Sequence, residues 1–326
     1  MRILVVGGAG YVGSHCLRYL VANGHEAWVY DNLSQGHSEA VSEGRLIVGD
    51  LLDTGKLIET MKQHDIQVVM HFAAKALVGE SVVRPDIYYR TNVTGTLSLL
   101  DAMVASGVKK IVFSSTCAVF GVVQPPITEN LPKNPINPYG FTKLVIERAL
   151  ADYAAAFQLE AAALRYFNAC GAASDGTIGE DHDPESHLIP IVLQVALGQR
   201  PHVQIFGTDY PTPDGSCLRD YIHVEDLADA HLRVLSHLKA GQLVDYNLGT
   251  GVGVSVREVI EIARRVTGHP IPVIESERRP GDPAVLMGDA TKALKELGWS
   301  AKFKTIEPVI KSAWAWHKAH PTGFQK

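Results

Sequence analysis

The chain has 326 residues, enough for one large or two closely packed domains, and its 46% hydrophobic and 20% charged residues are typical of a globular protein. Its formal net charge of −5 gives no excess of basic side chains, which argues against nucleic acid as a partner. No apolar run is long enough to span a membrane and the four cysteines form no C-x-x-C pair, so we expect a cytoplasmic protein without a membrane partner, a metal site or a disulfide framework.

In the first half of the chain, short apolar runs alternate with stretches of helical spacing. The predicted strands cover residues 3–6, 26–30, 45–48, 68–72, 111–114 and 161–164, and the predicted helices cover 11–23, 55–63, 85–105 and 139–157. This alternation indicates right-handed crossovers and an α/β fold, a doubly wound parallel Rossmann sheet. The strands show no polar alternation, which is typical of a sheet buried on both faces.

After residue 168 the pattern is less regular. Residues 170–187 are predicted to form a loop over a ligand site, and 244–248 to form a strand that rejoins the sheet. Helices are predicted at 187–197, 226–238, 254–267 and 305–317. We therefore expect a nucleotide-binding domain over 1–168, rejoined by the strand near 244–248, and a smaller, partly interleaved α/β substrate domain over 169–326.

A glycine-rich turn joins the first predicted strand to the first helix. Gly7, Gly10 and Gly13 have the spacing that permits a tight turn, a close approach of a pyrophosphate and packing of helix on strand. Packing alone can also select such glycines, but here the second strand follows and ends at Asp31, eighteen residues after Gly13. A carboxylate at that position can bind the ribose hydroxyls of a dinucleotide.

Asp31 also bears on the choice of cofactor. Its carboxylate would repel a 2′-phosphate, and no arginine follows it before Arg45, so we predict NAD rather than NADP. Asp50 ends the third predicted strand at the same edge of the sheet. It has two interpretations, a bond to the adenine amine or a turn cap.

Tyr139 and Lys143 stand four residues apart at the start of a predicted helix, so their side chains share one face. A free phenol has a pKa of about 10, and a nearby ammonium favours its ionised form, which is the general base that alcohol oxidation needs. Thr116 follows the fifth predicted strand, at the end of the sheet where ligands bind in such folds. Its hydroxyl could bond the same sugar oxygen that Tyr139 deprotonates.

Together these residues resemble the extended short-chain dehydrogenase/reductases, and within them the UDP-glucose 4-epimerase family. The resemblance runs nearly end to end. It is carried by the segments at residues 31–33, 71–74, 78–81, 92–96, 165–168, 219–224 and 278–282. It implies an isomerase that transiently oxidises the sugar of UDP-glucose or UDP-galactose to a 4-keto form with tightly held NAD.

The resemblance also implies roles for individual residues. Tyr139, Lys143 and Thr116 would be catalytic. The NAD site would comprise Gly7, Gly10, Tyr11, Val12, Gly13, Asp31, Asn32, Asp50, Leu51, Phe72, Ala73, Ala74, Asn92, Ser114, Tyr139, Lys143 and Tyr166. The UDP-sugar site would comprise Thr116, Tyr139, Asn168, His187, Leu188, Phe206, Arg219, Tyr221, Arg279 and Asp282. The family further implies a homodimer, for which the apolar stripes of residues 85–105 and 139–157 could supply a helical interface or could simply face the sheet.

The chain departs from the family pattern at several positions. Ala76 stands where close relatives often carry a lysine, and Leu286 falls near the position that gates N-acetylated sugars. His182 and His187 suggest metal, but no third ligand is implied and solvated loop histidines are the expectation. The residues leave open a 4-epimerase for UDP-N-acetylglucosamine, UDP-xylose or UDP-glucuronate. Cys117 and Ala118 lack the acid expected after Thr116 in a dehydratase or decarboxylase, and the Tyr–Lys pair argues against a regulator that only senses a dinucleotide.

Overall fold

The computed structural model describes residues 1–279 and 282–324. Within these residues the strands are β1 (Arg2–Val6), β2 (Glu26–Asp31), β3 (Leu46–Val48), β4 (Val68–His71), β5 (Lys110–Thr116), β6 (Glu160–Tyr166), β7 (Asn168–Cys170), β8 (Val203–Phe206), β9 (Leu218–His223), β10 (Gln242–Leu248), β11 (Gly253–Ser255), β12 (Val273–Ser276) and β13 (Val285–Leu286). The helices are α1 (Tyr11–Ala22), α2 (Thr54–Gln63), α3 (Val78–Val83), α4 (Pro85–Tyr88), α5 (Gly95–Ser106), α6 (Pro138–Phe157), α7 (Leu188–Ala196), α8 (Val224–Arg233), α9 (Val256–Thr267), α10 (Thr291–Leu297) and α11 (Ile306–Ala319).

The main sheet has seven parallel strands in the order β10-β6-β5-β4-β1-β2-β3. Its order reverses between β1 and β4, which opens a crevice at the carboxyl ends of these strands. The predicted doubly wound sheet is therefore confirmed. The strand predicted at 244–248 is β10, which pairs in parallel with β6 at the edge of the sheet.

Helices cover both faces of this sheet, and β1 shows how the sequence arranges this. Ile3 and Val5 join one apolar cluster, which includes side chains of α1 and α8. Leu4 and Val6 point the other way, into a cluster that includes side chains of α2, α5 and α6. Successive side chains of a strand face opposite sides, so an unbroken apolar run buries both faces.

The predicted helix over 85–105 is wrong as a single regular helix. It is built from α4, a π-helical turn over Tyr89–Thr94 and α5. The π turn contains Asn92, a fully buried polar residue. The apolar side chains of α5, including Leu99 and Met103, are buried, so its stripe faces the sheet.

The other predicted helices differ from the observed ones mainly at their ends. The helix predicted at 226–238 is α8 followed by a 3-10 turn over Val234–His237. The helix predicted from residue 139 begins at Pro138, because Asn137 caps it by accepting from the Gly140 N–H at 2.8 Å. None of the helices in the part of the chain that the structure describes is long and apolar enough to cross a membrane.

The later part of the chain forms two small sheets that the sequence pattern did not predict. In one of them β9 pairs with β7, β11 and β13, and in the other β8 pairs with β12. Their apolar side chains join those of α7, α9 and α11 in a separate cluster. The strand β9 escaped prediction because it reads LRDYIH, with Arg219 and Asp220 both buried.

Candidate active site

A cleft of about 460 Å³ lies at the carboxyl ends of the main-sheet strands. It has the size and position expected of a ligand site in an open α/β sheet. Its wall includes the turn between β1 and α1, the end of β5, the start of α6, the loop before α7 and part of β9. The segments that the sequence singled out as separate motifs thus converge on one place.

Each glycine of the first turn meets a different steric demand. Gly7 has φ +79°, and a Cβ there would lie 2.3 Å from the Ala73 backbone nitrogen. A Cβ on Gly13 would lie 2.3 Å from the Gly7 carbonyl oxygen, so close packing excludes a side chain at both positions. At Gly10 the nearest atom is that same oxygen at 3.5 Å, an ordinary contact. The protein fold therefore does not require glycine at position 10, but a ligand approaching the backbone there would.

The start of α1 is suited to an anion. Gly10 is its N-cap and no side chain caps it, so the first N–H groups face the cleft without a side-chain acceptor. The first turn also carries no acidic residue. Unsatisfied N–H groups and the helix dipole favour a phosphate at such a terminus.

Asp31, Asn32 and Asp50 meet at the edge formed by β2 and β3. The Asp31 carboxylate accepts from the backbone N–H of Ala9 at 3.0 Å and of Leu33 at 2.9 Å. Burial raises the pKa of Asp31, and these two bonds partly offset the effect. Asn32 donates to the Asp50 carboxylate at 2.8 Å. The Asp31 carboxylate is thus fixed in place beside the glycine turn.

Tyr139 and Thr116 both line the cleft, and a hydrogen bond with the Thr116 hydroxyl acts to lower the pKa of Tyr139. Lys143 donates to the Ser114 carbonyl oxygen at 2.8 Å, and its nitrogen lies 6.0 Å from the centre of the Tyr139 ring. The Ser114 hydroxyl is itself hydrogen bonded to the phenol of Tyr166. The spacing of the Tyr–Lys pair on α6 therefore brings both side chains to the end of β5.

Burial dominates the acid–base properties of this pair. We expected a lowered pKa for Tyr139, but burial raises it and outweighs the bond with Thr116. Burial also lowers the pKa of Lys143 to about 7, although the carboxylate of Glu147 acts to raise it. The protein groups alone therefore favour the neutral form of Tyr139 and bring the pKa of Lys143 close to neutrality.

A buried ion network behind Tyr139 and Lys143 was missed by sequence reasoning. The guanidinium of Arg165 donates to both oxygens of Glu147 at 2.7 Å and to Asp245 at 2.6 Å. Ser115 also donates to Glu147, at 2.7 Å. The network joins β5, α6, β6 and β10, and so holds the helix that carries Lys143 against the sheet. Its only signal in the sequence is a pair of charged residues within otherwise apolar segments.

Asn92 acts through the backbone rather than in the wall of the cleft. Its side-chain amide accepts from the Lys75 N–H at 2.8 Å and donates to the Lys75 carbonyl at 3.0 Å. It also donates to the Thr142 hydroxyl at 3.1 Å. It thereby ties the segment after β4 to α6, next to Lys143.

The residues predicted to bind the UDP-sugar divide into two groups. Asn168, His187, Leu188, Arg219, Tyr221 and Asp282 line the cleft, as do Tyr139 and Thr116. Arg219 forms an ion pair with Asp282, so two predicted binding residues contact each other. Phe206 and Arg279 form the second group, because neither belongs to the part of the cleft wall that the structure describes. The guanidinium of Arg279 lies 3.9 Å from the centre of the Phe206 ring. Pro280 and Gly281 of the same motif, and the final two residues of the expected second domain, lie outside the described residues.

The NAD residues divide in a similar way. Gly7, Gly10, Tyr11, Val12, Gly13, Phe72, Ala74, Ser114, Tyr139, Lys143 and Tyr166 line the cleft. Asp31, Asn32 and Asp50 lie at the neighbouring edge, while Ala73 and Leu51 contact Gly7 and Gly95 behind it. Gln35 also lines the cleft, and no motif in the sequence marked it.

The loop histidines are not simply solvated. His182 and His187 both contact Glu180, and His182 also lies near Glu185. Burial alone would lower the pKa of His182, but its contacts with the two glutamates outweigh burial and raise it to about 10. The glutamates are nearly inaccessible and were not predicted as site residues, because a Glu in a polar loop carries no signal of burial.

Comparison with known proteins agrees with this geometry. The profile of the NAD dependent epimerase/dehydratase family matches residues 3–249. The chain is 54% identical over 326 residues to the UDP-glucose 4-epimerase of Halalkalibacterium halodurans, covering 99% of this chain and 98% of the relative. It superposes with a TM-score of 0.93 on the crystal structure of UDP-glucose 4-epimerase from Brucella ovis in complex with NAD, at 48% identity over 96% of this chain and 97% of the other. The Bifidobacterium longum enzyme in complex with NAD⁺ and UDP gives a TM-score of 0.94 at 40% identity, covering 99% and 100% of the two chains.

Three findings lead to one assignment. The family profile covers most of the chain, the relatives align over almost its whole length, and the fold is shared. The chain belongs to the NAD-dependent epimerase/dehydratase family.

Proposed function

We propose that this chain interconverts UDP-glucose and UDP-galactose by epimerisation at carbon 4, as an NAD-dependent isomerase. The observation that carries the proposal is the single cleft in which Tyr139, Thr116 and Lys143 face the glycine turn of a dinucleotide site. Full-length relatives at 46–54% identity that are UDP-glucose 4-epimerases support the reaction. Another UDP-sugar as the preferred substrate is not favoured.

The residues of the cleft fit NAD. A Cβ at Gly10 would meet little protein and would instead occupy the space beside the start of α1, where a pyrophosphate would bind. The ordered carboxylate of Asp31 would accept the ribose hydroxyls. Lys143 and Tyr166, both in the cleft wall, would face the nicotinamide end.

The proposed chemistry requires a base and a partner for the hydroxyl. Tyr139 takes the proton of the sugar 4-hydroxyl, and the Thr116 hydroxyl bonds the same oxygen and holds it in line. NAD, when bound, would supply the hydride acceptor and donor for carbon 4 of the sugar. Tyr139 then gives the proton back to the sugar oxygen, so the reaction leaves no net change in oxidation state.

Lys143 supports the base in this scheme. Its ammonium, held by the Ser114 carbonyl, supplies positive charge close to the phenol and favours the phenolate. Because burial disfavours charge on both side chains, Tyr139 needs further positive charge in the cleft to ionise as the phenolate.

We propose that Arg219 binds the diphosphate of the substrate and that the uridine lies near β9. The ion pair of Arg219 with Asp282 holds the guanidinium at the cleft wall with donors left over for an anion. Asn168, Leu188 and Tyr221 line the same end of the cleft. The guanidinium of Arg279 lies over the ring of Phe206, so it would have to leave that ring to contact the substrate. We therefore propose that Arg279 joins the site only when substrate binds.

We further propose a homodimer. An exposed apolar patch, defined by Val78, Val82, Val83, Tyr89 and Phe141, spans α3, the π turn and the start of α6. Val83 is 73% exposed, which is unusual for a valine on a helix surface unless a partner covers it. The patch would bring α6 of one subunit against that of another, and it adds α3 to the surface expected from the sequence.

We propose that the protein is cytoplasmic and that its domains comprise residues 1–168 and 169–326, with α8 and β10 packing against the sheet of the first. All four cysteines are free thiols, as in a reducing compartment. The separate apolar cluster around α7, α9 and α11 supports a second folding unit, which presents the substrate-facing wall.

The proposal is tested by Tyr139→Phe, which removes only the phenolic oxygen. Turnover of UDP-galactose, measured with a coupled assay for UDP-glucose, should fall by about a hundredfold or more, while bound NAD and thermal unfolding stay unchanged. Tyr153→Phe is the matched control, since it removes a phenol from the same helix at the surface, where it bonds Asp101. Near-normal turnover of Tyr139→Phe would eliminate this residue as the base.

A further inference from the structure

We propose that Glu180, His182, Glu185 and His187 bind one divalent cation of the zinc class in the wall of the cleft. The four residues belong to the loop that precedes α7 and have the spacing E-x-H-x-x-E-x-H. Each offers one ligand atom, and these four atoms lie within 4.8 Å of one another. A metal at this place is not part of the proposed epimerisation.

The distances suit a common ion. The Nδ1 atom of His182 lies 3.4 Å from a Glu180 oxygen and 3.7 Å from a Glu185 oxygen. Ligand atoms about 2.0–2.2 Å from a tetrahedral ion stand roughly 3.3–3.6 Å apart. Two ligand pairs are therefore already near the separation that coordination needs, whereas His187 and Glu180 are hydrogen bonded to each other and would move apart around an ion.

Glu185 gives an independent indication of a ligand. Its side chain is only 2% exposed, and one carboxylate oxygen accepts from the N–H groups of Ser186 at 2.7 Å and His187 at 2.8 Å. Its other oxygen is buried without a hydrogen-bond partner among the described residues and faces the cluster. Hydrogen bonds to one oxygen hold the Glu185 carboxylate in place, and the other oxygen has no partner in the described part of the chain. Carboxylates that bind metals are commonly oriented in this way by hydrogen bonds.

The charge of the two buried carboxylates also favours a bound cation. Glu180 has a side chain that is 3% exposed, so the cluster places two carboxylates out of water in one small volume. Buried carboxylates require compensation by cations. A divalent ion held by two carboxylate oxygens and two imidazole nitrogens balances both charges with neutral histidines.

The donor set selects the metal. Two nitrogens and two oxygens suit Zn²⁺ or its neighbours Co²⁺ and Ni²⁺, whereas Mg²⁺ and Ca²⁺ prefer oxygen ligands alone. The side chain of His187 is 51% exposed at the cleft, which leaves a path by which an ion can enter. The ion would tie the loop to the start of α7, next to the proposed substrate-binding residue Leu188.

The competing explanation is that the two carboxylates are balanced by protons on the two histidines. The full chain is freed of metal with a chelator, dialysed, and titrated with Zn²⁺ against a chromophoric competitor at neutral pH. We expect one equivalent to bind, and Co²⁺ in its place to show the visible absorption of a four-coordinate site. The double variant H182N/E185Q should lose affinity by roughly 100-fold or more.

His269→Asn, at an exposed histidine remote in sequence from the loop, serves as the control and should bind like the unaltered chain. No stoichiometric binding by the unaltered chain would overturn the proposal and favour the protonated cluster. Undiminished binding by the double variant would also overturn it, because the ion would then sit elsewhere. The unaltered chain decides the first outcome even if the double variant fails to fold, and neither readout depends on epimerase activity.

Discussion

Replacing Glu147 by Gln should move the pH dependence of turnover, because this buried carboxylate acts on the pKa of Lys143, the proposed partner of the base. Burial lowers the pKa of Lys143 to about 7, while Glu147 acts to raise it. Loss of the carboxylate should lower that pKa further. If the ammonium form of Lys143 is the active one, activity is lost as pH rises through its pKa. Glu147→Gln should therefore shift the alkaline limb of the profile to lower pH.

The size of the shift follows from the position of the two residues on α6. They stand four residues apart, a spacing at which Cβ atoms are about 6 Å apart. At an effective dielectric constant of about 20, two unit charges at that distance interact by about 3 kcal/mol, equivalent to about two pH units. Allowing for relaxation and water in the cleft, we expect a shift of about one unit or more.

The assay is the initial rate of UDP-galactose turnover at saturating substrate over a range of pH. Asp245→Asn is the matched control, because it weakens the same Arg165 network but does not act on Lys143. Both variants should unfold at lower temperature, since each loses a charged hydrogen bond worth about 1.5–3 kcal/mol. A profile of Glu147→Gln that coincides with those of the control and the unaltered chain would refute the coupling of Glu147 to Lys143.

Three further variants test the cofactor site, the segment behind it and the apolar patch. Gly10→Ala should weaken NAD binding about tenfold or more by calorimetry without changing the melting temperature, whereas Gly79→Ala, in open space on α3, should bind NAD normally; equal affinities would remove position 10 from the pyrophosphate site. Asn92→Ala should lower the free energy of unfolding in urea by about 3 kcal/mol, because both backbone groups of Lys75 lose their partner, and an unchanged midpoint would contradict this. Val83→Glu should give a monomer by light scattering; a dimer that survives it would exclude the patch.

The main sheet was predictable because its strands are short apolar runs and the stretches between them have helical spacing. The run from Ile3 to Val6 has no alternation, and its short length and the glycines that follow it indicate a strand buried on both faces. The strands of the second part could not be found in this way. In β9 the charged Arg219 and Asp220 are buried because each finds a partner far along the chain: Asp282 for the first, and backbone N–H groups near Thr250 and Gly288 for the second.

The candidate site was predictable where one local segment sets the geometry. Gly7 to Gly13 and the pair Tyr139 and Lys143 are such segments, since turn and helix spacing determine which side chains face the same way. The Arg165 network and the loop glutamates depend on contacts between distant segments. The residues next to Glu180 in the sequence do not show that it is buried. The sequence therefore predicted that the loop histidines are solvated.

The pairing of β10 with β6 bears on how the protein is made and divided. As the chain leaves the ribosome, the first six strands of the sheet are complete about eighty residues before β10 emerges. Until then β6 is an open edge, and Arg165 lacks Asp245. A fragment cut after residue 168 would keep that edge permanently and would be prone to aggregate. Exchanging the substrate-facing part between relatives consequently requires two cuts besides the one after residue 168, one on each side of β10.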